Sequence, residues 1–482
     1  MNILIQCGDH LENQNRIMTL ASTLRDFGCK PVVLLYSNKK GRYFENAGIE
    51  TIALEDHLPK IPVAAGTKIE SSLEDGITYD DVLQPEQRRR PRVGWPGQRA
   101  RSINDIHKHH SALTSIIETC KPDHIVVWNG FTGYVANILR LIAQARNIPS
   151  AFLERGLLKN SLFIDRDGVN GASSLNGLTP DLVDALSISE QERNKVIELF
   201  NIPALQPQQE ENTQNILFPL QVQLDTNIIM YSSYRTMRET FFDIYDALDS
   251  KTSQFLVRPH PEELPETLPN IPNHDNVRVT KSETLDHWLD WSTLVVTINS
   301  TVGLEALIKG KKVISLGNSI YSSAGLTSGL TTDLGLSAPD LRERLIKYLV
   351  YLTRSNLLIP DDDNNPAVVS KQINITAKQI AAPERPCNKP IATERAIIEI
   401  AAPLNTTLDL TYRRNKVKLD HAWILSIAKQ HFSAKTYSIV PYCPNSKHAT
   451  TTTTLKVVSE ERSTKADPRY NRTIDIYGNL VR

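Results

Sequence analysis

The chain has 482 residues, of which 40% are apolar and 22% charged. Because one hydrophobic core rarely serves so long a chain, two domains are the starting expectation. The 54 basic side chains balance the 54 acidic ones, so overall charge does not direct this protein to nucleic acid or to anionic lipid.

The first 200 residues predict alternating strands and helices, a pattern typical of a parallel sheet covered on both faces. The predicted strands are Asn2–Gln6, Pro31–Tyr36, Ile49–Leu54, His124–Trp128 and Pro149–Leu153. The predicted helices lie near Asn15–Phe27, Ile103–Cys120, Val135–Arg146 and Thr179–Phe200. Between them, His57–Ala100 contains several prolines, a basic run at Arg88–Arg92 and little periodicity. We expect it to be a long disordered loop or a passive insertion, with a functional lid as the alternative.

A second alternating series follows a segment rich in Pro, Gln, Asn and Glu. Its predicted strands are Ile216–Phe218, Phe255–Val257, Val277–Thr280, Leu294–Thr297 and Lys312–Ser315. Its predicted helices lie near Arg235–Leu248, Glu283–Trp288, Val302–Lys309 and Pro339–Thr353. Two doubly wound α/β units joined by a linker describe the GT-B architecture, in which ligands bind between the sheet ends. This architecture serves transferases, epimerases and phosphorylases, so it leaves the reaction open.

The predicted domain boundaries follow from these series. An N-terminal Rossmann-like domain spans residues 1–201, a linker 202–215 and a C-terminal Rossmann-like domain 216–358. Residues 359–482 combine weak helical patterns at Thr393–Ile400 and Ala422–Gln430 with a run of five threonines. We expect a small appendage or a partly disordered tail there, with a module that docks the acceptor or a membrane as the alternative.

Cysteine usage and hydropathy bear on localisation. The five cysteines are scattered, with no CxxC spacing, which argues against a disulfide framework or a zinc site and fits a reducing compartment. The first residues turn polar too soon for a signal peptide. No apolar stretch approaches the roughly 18 to 20 residues that span a bilayer. We therefore expect a cytoplasmic protein.

Two motifs in the second series combine strand ends with ligand-binding residue types. The prolines of Arg258-Pro259-His260-Pro261 stop a strand and fix His260 at its carboxyl end. Arg258 is a forked donor that suits phosphate or carboxylate, and a histidine there can donate to a phosphate oxygen. The alternative is a turn with an exposed, idle histidine.

The second of these motifs is Asn299-Ser300-Thr301, which ends a buried strand where a helix begins. Asn and Ser cap helices well, and the free N–H groups of a helix start form an anion site. Glu305 lies one turn past Thr301, where a carboxylate can accept hydrogen bonds from ribose hydroxyls. The alternative is ordinary helix capping.

Two carboxylates are predicted to face the same cleft from opposite domains. Gln221 and Asp225 follow a strand at the exit from the linker, and Glu154 and Arg155 follow a strand of the first series. A retaining sugar transfer needs such a pair, a nucleophile and an acid/base. The alternatives are that Asp225 forms a turn and that Glu154 and Arg155 make a surface ion pair.

Two further segments lie near this cleft in the predicted order. Trp128-Asn129-Gly130 follows the preceding strand and is expected to shape the same cleft. Asp165 either binds acceptor hydroxyls or makes a turn.

Six motifs, in this order and spacing, resemble the capsule polysaccharide biosynthesis family, which includes bacterial retaining β-Kdo glycosyltransferases of capsule and lipopolysaccharide assembly. They are Glu154-Arg155-Gly156, Gly168-Val169-Asn170, the segment from Phe218 to Asp225, Arg258-Pro259-His260-Pro261, the segment from Asn299 to Glu305, and Leu316-Gly317 with Tyr321 and Gly325-Leu326-Thr327. The resemblance spans about Asn2 to Leu358 and is strongest from Glu154 to Thr327.

The resemblance implies transfer of Kdo from CMP-Kdo with retention by double displacement. It implies Asp225 as the nucleophile and Glu154 as the acid/base. Residues implied to bind substrate are His260, Asn299, Ser300 and Thr301 on the CMP phosphate, Glu305 on the ribose, Arg155 or Arg258 on the Kdo carboxylate, and Gln221 in the cleft. A guanidinium meets a carboxylate through two hydrogen bonds. No cofactor and no metal are expected, because helix N–H groups and His260 can stabilise the departing phosphate.

The implied partners are a nucleotide sugar and a glycan or glycolipid acceptor, with peripheral contact to the inner membrane or to polysaccharide-assembly proteins. Nucleic acid is not expected. The sequence departs from the family in the segment from Gln6 to Asp9, in His57–Ala100 and after Ile359. Two alternatives stay open: a GT-B transferase or epimerase that uses a UDP- or GDP-sugar, and a catalytically silent scaffold of a polysaccharide-assembly complex.

Overall fold

A computed structural model describes much of the chain, which divides into two units, Met1–Ile380 and Ala381–Arg482. The described residues are 1–7, 11–37, 41–59, 72–89, 96–205, 214–222, 225–234, 236–248, 252–261, 270–271, 275–373, 391–401, 432–442, 454–459 and 471–475.

The first unit contains two sheets. In chain order its strands are β1 (Asn2–Gln6), β2 (Lys30–Leu35), β3 (Glu50–Ala53), β4 (His124–Trp128), β5 (Ser150–Arg155), β6 (Leu162–Asp165), β7 (Gln214–Pro219), β8 (Ser253–Arg258), β9 (Val277–Val279), β10 (Leu294–Thr297), β11 (Lys312–Ser315) and β12 (Leu357–Leu358). The first sheet has the order β12-β6-β5-β4-β1-β2-β3, and the second has the order β11-β10-β7-β8-β9.

Both sheets repeat one topology. The strands from β1 to β5 are parallel in the order 3-2-1-4-5, and those from β7 to β11 repeat that order. Their buried runs of Val, Ile and Leu are typical of parallel strands covered on both faces. Each of these sheets, with its helices, forms one half of the first unit. The predicted fold class, two doubly wound Rossmann-like domains, is therefore confirmed.

Thirteen helices accompany the sheets in the described part of the chain. They are α1 (Leu11–Asp26), α2 (Gly41–Glu45), α3 (Tyr79–Arg89), α4 (Pro96–Cys120), α5 (Tyr134–Ala145), α6 (Pro180–Asp184), α7 (Glu190–Leu199), α8 (Thr226–Tyr231), α9 (Met237–Ala247), α10 (Leu285–Trp291), α11 (Thr301–Ile308), α12 (Ala338–Ser355) and α13 (Asn365–Ile373). None of them is both long and apolar enough to cross a bilayer.

The expectation of a structureless loop at His57–Ala100 is wrong for part of its length. Helix α3 and the start of α4 lie within it. Val82 and Leu83 of α3 are fully buried, so the segment contributes to the core. Pro85 lies inside this helix. It is one of the prolines on which the expectation of a loop rested. Residues 60–71 and 90–95, and the side chains of the basic run Arg88–Arg92, lie outside the described part.

The chain returns to the first sheet after the second one is complete. Strand β12 pairs antiparallel with β6. Val368, Val369 and Ile373 of α13 are buried in the core on one face of the first sheet. The expected appendage from residue 359 therefore needs correction, because 359–373 pack on the first unit and the second begins only at Ala381.

The second unit contains a sheet of β13 (Ile391–Ala401), β14 (Phe432–Tyr442), β15 (Thr454–Ser459) and β16 (Asn471–Asp475), in the order β14-β13-β15-β16. The predicted helix at Thr393–Ile400 is wrong, because β13 pairs there with β14 on one side and β15 on the other. Its β-branched Ile and Thr residues suit a strand. The predicted helix at Ala422–Gln430 lies outside the described residues.

Candidate functional site

The strand order reverses at one point in each sheet of the first unit, between β1 and β4 and between β7 and β10. Open α/β sheets bind ligands in the crevice beyond the carboxyl ends of the strands at such a point. The candidate site residues lie at or just after the carboxyl ends of β5, β7, β8 and β10.

Glu154 is half-buried near the end of β5 and has two described donors. Asn129 Nδ2 donates to its Oε2 at 3.3 Å, and the backbone N–H of Arg155 donates to its Oε1 at 2.9 Å. Burial raises the pKa of Glu154, and the negative charge of Asp225 acts in the same direction. The fold thus brings these two predicted carboxylates into one electrostatic neighbourhood, whereas the Arg155 side chain is exposed.

Asp225 caps the short helix α8, where its Oδ1 accepts a hydrogen bond from the backbone N–H of Asn227 at 2.9 Å. The next residue, Thr226, holds α8 against the loop that follows β4. Its hydroxyl lies 2.9 Å from the hydroxyl of Thr132. Because the same loop carries the Asn129 that bonds Glu154, this contact brings Asp225 to the side of Glu154.

The loop after β4 has a backbone that few sequences accept. Asn129 has φ of 58° and Gly130 has φ of 86°, both in the left-handed region that favours Asn and Gly. A Cβ at Gly130 would lie 2.7 Å from the ring of Phe152. The expectation that Trp128-Asn129-Gly130 shapes the cleft stays a prediction.

Gln221 and Asn299 make a reciprocal pair at the reversal point of the second sheet. Gln221 Nε2 donates to Asn299 Oδ1 at 3.1 Å, and the Asn299 N–H donates to Gln221 Oε1 at 3.3 Å. Asn299 Nδ2 also donates to the carbonyl of Asn227 at 2.9 Å. Both amides are buried and connect the segment before α11 with the first turn of α8. Their predicted contact with substrate stays a prediction.

The start of α11 is organised by Ser300 and Tyr321. Ser300 caps the helix by accepting from the N–H of Val302 at 3.3 Å, and Tyr321 donates its hydroxyl to the carbonyl of Ser300 at 2.5 Å. A Cβ at Gly303 would lie 2.1 Å from that hydroxyl, so this glycine makes room for Tyr321. Thr301 is the first helical residue and is exposed.

Glu305 is half-buried one turn into α11. Burial raises its pKa, the nearby Asp286 raises it further, and Lys309 opposes both. Lys309 Nζ pairs with Asp286 at 3.1 Å and with Asp290 at 2.8 Å. The Glu305 carboxyl group thus has one acidic and one basic neighbour that act on its pKa.

Arg258 is the last residue of β8, and His260 follows it at the same sheet edge. Arg258 Nη2 donates to the carbonyl of Glu283 at 3.4 Å, while its buried Nε has no partner within the described structure. His260 is half-buried. Hydrogen bonds join Gln221 with Asn299, and the charge of Asp225 acts on Glu154.

Asp165 is a structural residue, the second of the two interpretations its sequence allowed. It is fully buried, and its carboxylate accepts hydrogen bonds from Asp167, Gly168, Ser173, Ser174 and Asn356. These donors occupy its oxygens, so the turn after β6 is built around this carboxylate.

Tyr231 is a residue of the site region that the sequence did not single out. Its ring meets Phe131 at 6.4 Å between centroids, its carbonyl accepts from the N–H of Asn318 at 3.0 Å, and a Cβ at Gly171 would lie 2.4 Å from it. The sequence signal that could have indicated this contact is Gly171, because a residue without a side chain allows an aromatic ring to approach the backbone. Tyr231 fixes α8, and hence Asp225, against both halves of the unit.

No group of three or more His, Cys, Asp or Glu side chains placed to hold a metal ion occurs among the residues that the structure describes. The expected independence from metal and cofactor stays a prediction.

Residues 189–356 match the family model described as capsule polysaccharide biosynthesis protein. Over that stretch the match confirms the resemblance drawn from the motifs, and it includes all candidate residues except Glu154 and Arg155. Protein FixF of Sinorhizobium fredii strain NGR234 is 26% identical over 210 residues, which are 41% of this chain and 49% of that protein. The chain thus spans about half the length of this curated relative.

Similar solved structures include two Thermosulfurimonas dismutans KpsC structures. The β-Kdo 2,7 transferase is 18% identical, with a TM-score of 0.33, over 48% of this chain and 79% of that one. The β-Kdo 2,4 transferase is 19% identical, with a TM-score of 0.35, over 46% and 78%. A putative UDP-N-acetylglucosamine 2-epimerase from Listeria monocytogenes is 10% identical, with a TM-score of 0.29, over 80% and 98%.

Proposed function

We propose that this protein is a glycosyltransferase of bacterial surface polysaccharide synthesis that transfers Kdo from CMP-Kdo to a glycan or glycolipid acceptor with retention. The feature that supports the proposal is the placement of two carboxylates, Glu154 and Asp225, near enough for the charge of Asp225 to raise the pKa of Glu154. The contact between Thr132 and Thr226 holds the segments that carry them together. The family match over residues 189–356 supports the polysaccharide assignment.

In the first step the Asp225 carboxylate attacks the anomeric carbon of the sugar. A bond forms between a carboxylate oxygen and that carbon, the bond from the carbon to the phosphate oxygen breaks, and CMP departs with the electron pair. CMP is a good leaving group, so this step needs no proton from an acid.

In the second step Glu154 removes the proton of an acceptor hydroxyl while the hydroxyl oxygen attacks the same carbon. The bond to Asp225 breaks and its carboxylate is released. Two displacements with inversion give net retention. The raised pKa of Glu154 suits this role, because a general base works best when its pKa approaches the working pH.

The donor nucleotide is assigned to the edge of the second sheet. The exposed Thr301, at the positive end of the α11 dipole, offers its hydroxyl to the phosphate. We propose that His260 contributes a further donor and that Glu305 meets the ribose. Arg258, with a guanidinium nitrogen that has no described partner, suits the Kdo carboxylate.

We further propose that the protein works in the cytoplasm, at the periphery of the inner membrane or beside polysaccharide-assembly proteins. A glycolipid acceptor would require such a location, and no nucleic acid takes part.

The test is mass spectrometry of the protein after incubation with CMP-Kdo. A Glu154→Gln variant should accumulate a Kdo adduct on Asp225, because the first step proceeds and the second lacks its base. Asp225→Ala should form no adduct and should lose transfer activity. Unchanged transfer by Asp225→Ala would contradict the mechanism. Binding of UDP or GDP in place of CMP, measured by calorimetry, would contradict the donor and favour the alternative enzyme class.

A further inference from the structure

The first turn of α1 contains buried polar side chains that the proposed reaction does not use. Asn13 is 1% exposed and Gln14 is 7% exposed. Both amide atoms of Asn13 and the Nε2 of Gln14 have no hydrogen-bond partner within the described structure. Buried amides without partners are rare and unfavourable, and each calls for a water, an ion or a ligand. Asn13 and Gln14 are adjacent in the chain, so three such atoms occur within two residues of one helix turn.

The same segment contains a buried positive charge. Arg16 is 8% exposed, and its Nε donates to the carbonyl of Ser161 at 3.1 Å. Helix α1 is 16 residues long, and the first N–H groups of such a helix lie at the positive end of its dipole. Helix start, guanidinium and amide donors together favour an oxyanion.

The carbonyl of Ser161 connects this cluster with the end of β5. It also accepts the N–H of Gly156 at 3.0 Å, and Gly156 is two residues beyond Glu154. Because α1 follows β1, which runs parallel to β4 and β5, its N-terminus lies at the sheet edge where Glu154 lies. The cluster is therefore a neighbour of the proposed base.

We propose that Asn13, Gln14 and Arg16 bind an oxyanion that carries neighbouring hydroxyl groups, as in a sugar acid or a sugar phosphate. The nitrogen donors bind the oxyanion, and Asn13 Oδ1 accepts a hydrogen bond from a hydroxyl. As a subsite for the acceptor, the assignment rests on the proposed transferase function: the acceptor is an acidic glycan, held here by one anionic residue while a hydroxyl approaches Glu154.

The test measures binding of glucuronate, glucose 6-phosphate and glucose to the full chain by saturation-transfer NMR. We expect one or both anions to bind and glucose at the same concentration not to bind. Which anion binds separates a carboxylate site from a phosphate site. Asn13→Leu should weaken anion binding at least tenfold. Asn15→Ala, an exposed asparagine of the same helix, is the matched control and should bind as the wild type does.

Asn13→Leu also removes two buried atoms without partners, so its Tm without ligand should equal or exceed that of the wild type. If this variant does not fold, Gln14→Leu replaces it with the same expectation. The site is overturned if neither anion binds the wild type, or if the leucine variant binds the anion as well as the wild type does.

Calorimetry with CMP on the same samples separates this site from the proposed function. Anion binding without CMP binding would keep the site and refute the transferase assignment. CMP binding without anion binding would do the reverse.

Discussion

At the scale of single residues, the side chain of Asn129 sets the ionisation of the proposed base. Its amide donates to Glu154, and that hydrogen bond opposes the burial that raises the Glu154 pKa. A base must be ionised to accept a proton, so this amide extends the working range of Glu154 to lower pH.

Asn129→Gly should therefore move the acidic limb of the kcat/KM profile to higher pH and lower transfer at pH 7 on the order of tenfold. Glycine accepts the left-handed φ of 58° at this position, so the loop keeps its backbone. The measurement is the pH dependence of CMP-Kdo transfer, with CMP affinity as the control. An unmoved acidic limb would show that Asn129 does not set the pKa of Glu154.

His124 makes folding sensitive to acid. It is 3% exposed at the start of β4, and burial lowers its pKa to about 4 from the usual 6.5. The folded state thus disfavours the protonated ring, and stability falls as pH drops from 6.5 towards 4, by about 3 kcal/mol in total.

His124→Leu should reduce the loss of stability between pH 7 and pH 4.5, because the variant has no ring to protonate. The measurement is the free energy of unfolding in urea at both pH values. His57→Leu, at an exposed histidine, is the control and should lose stability as the wild type does. If the wild type and both variants lose the same free energy of unfolding between pH 7 and pH 4.5, protonation of His124 is not the cause of the acid sensitivity.

At the scale of elements, two features join helices that are distant in sequence. Asn299 links the start of α11 to the first turn of α8 through the carbonyl of Asn227, whose N–H is bound by Asp225. The predicted phosphate ligand and the predicted nucleophile are thus tied to one peptide segment. Donor binding and Asp225 placement are expected to depend on each other through this link.

Asn299→Ala should lower kcat at least tenfold, and more than it lowers CMP affinity, because it frees the turn that holds Asp225. Thr301→Ala, at the exposed helix start, should weaken CMP binding and affect kcat less. The comparison needs calorimetry with CMP and steady-state transfer on both variants. A loss confined to CMP affinity in Asn299→Ala would assign Asn299 to the phosphate alone.

Helix α12 is held to α7 by ion pairs. Arg193 binds Glu343 through two nitrogens at 2.7 and 2.6 Å, and Arg354 binds Glu192. Arg354, together with two hydrogen bonds from Ser189, lowers the pKa of Glu192 to about 2 from 4.5. The depressed pKa means that this pair stabilises the fold above pH 4.5 and that its contribution disappears as pH falls towards 2.

Arg354→Met should lower the free energy of unfolding by about 1 kcal/mol at pH 7, since the pair is partly exposed and screened by water. The difference from the wild type should shrink as pH falls from 4.5 towards 2. Urea unfolding at pH 7, 4 and 3 measures it. A difference independent of pH would assign the loss to packing of the arginine stem.

At the scale of the whole molecule, sequence patterns predicted the parallel strands, because buried apolar runs and strand-end motifs are local signals. The order of the strands in each sheet was not predicted. The added antiparallel strands β6 and β12 were not predicted, since β12 has only two residues and exists by pairing alone. Helix α3 was not predicted either, because Pro85 is a local signal against a helix. Burial of Val82 in the core, which the local sequence does not reveal, outweighs that signal. For the site, the sequence allowed the candidate residues to be named. It did not allow prediction of contacts between distant segments, such as that of Thr132 with Thr226.

The boundary after α13 leads to a truncation test. A chain of residues 1–380 should fold and bind CMP, because it retains every contact of the first unit. A chain of residues 1–358 should be destabilised by several kcal/mol, since burial of Val368, Val369 and Ile373 contributes about 2 kcal/mol for each side chain. Thermal unfolding and CMP calorimetry compare the two. Equal stability would show that α13 is dispensable.

The return of the chain to the first sheet has a consequence for synthesis on the ribosome. The second sheet is built from one continuous stretch, residues 214–315, whereas the first needs β12 and the Asn356 amide that donates to Asp165. Until those residues emerge, β6 is an open edge and the turn after it lacks one of its donors. The half of the first unit that is translated first therefore completes its folding last. During synthesis the open edge of β6 needs protection from pairing with other chains while the second half folds.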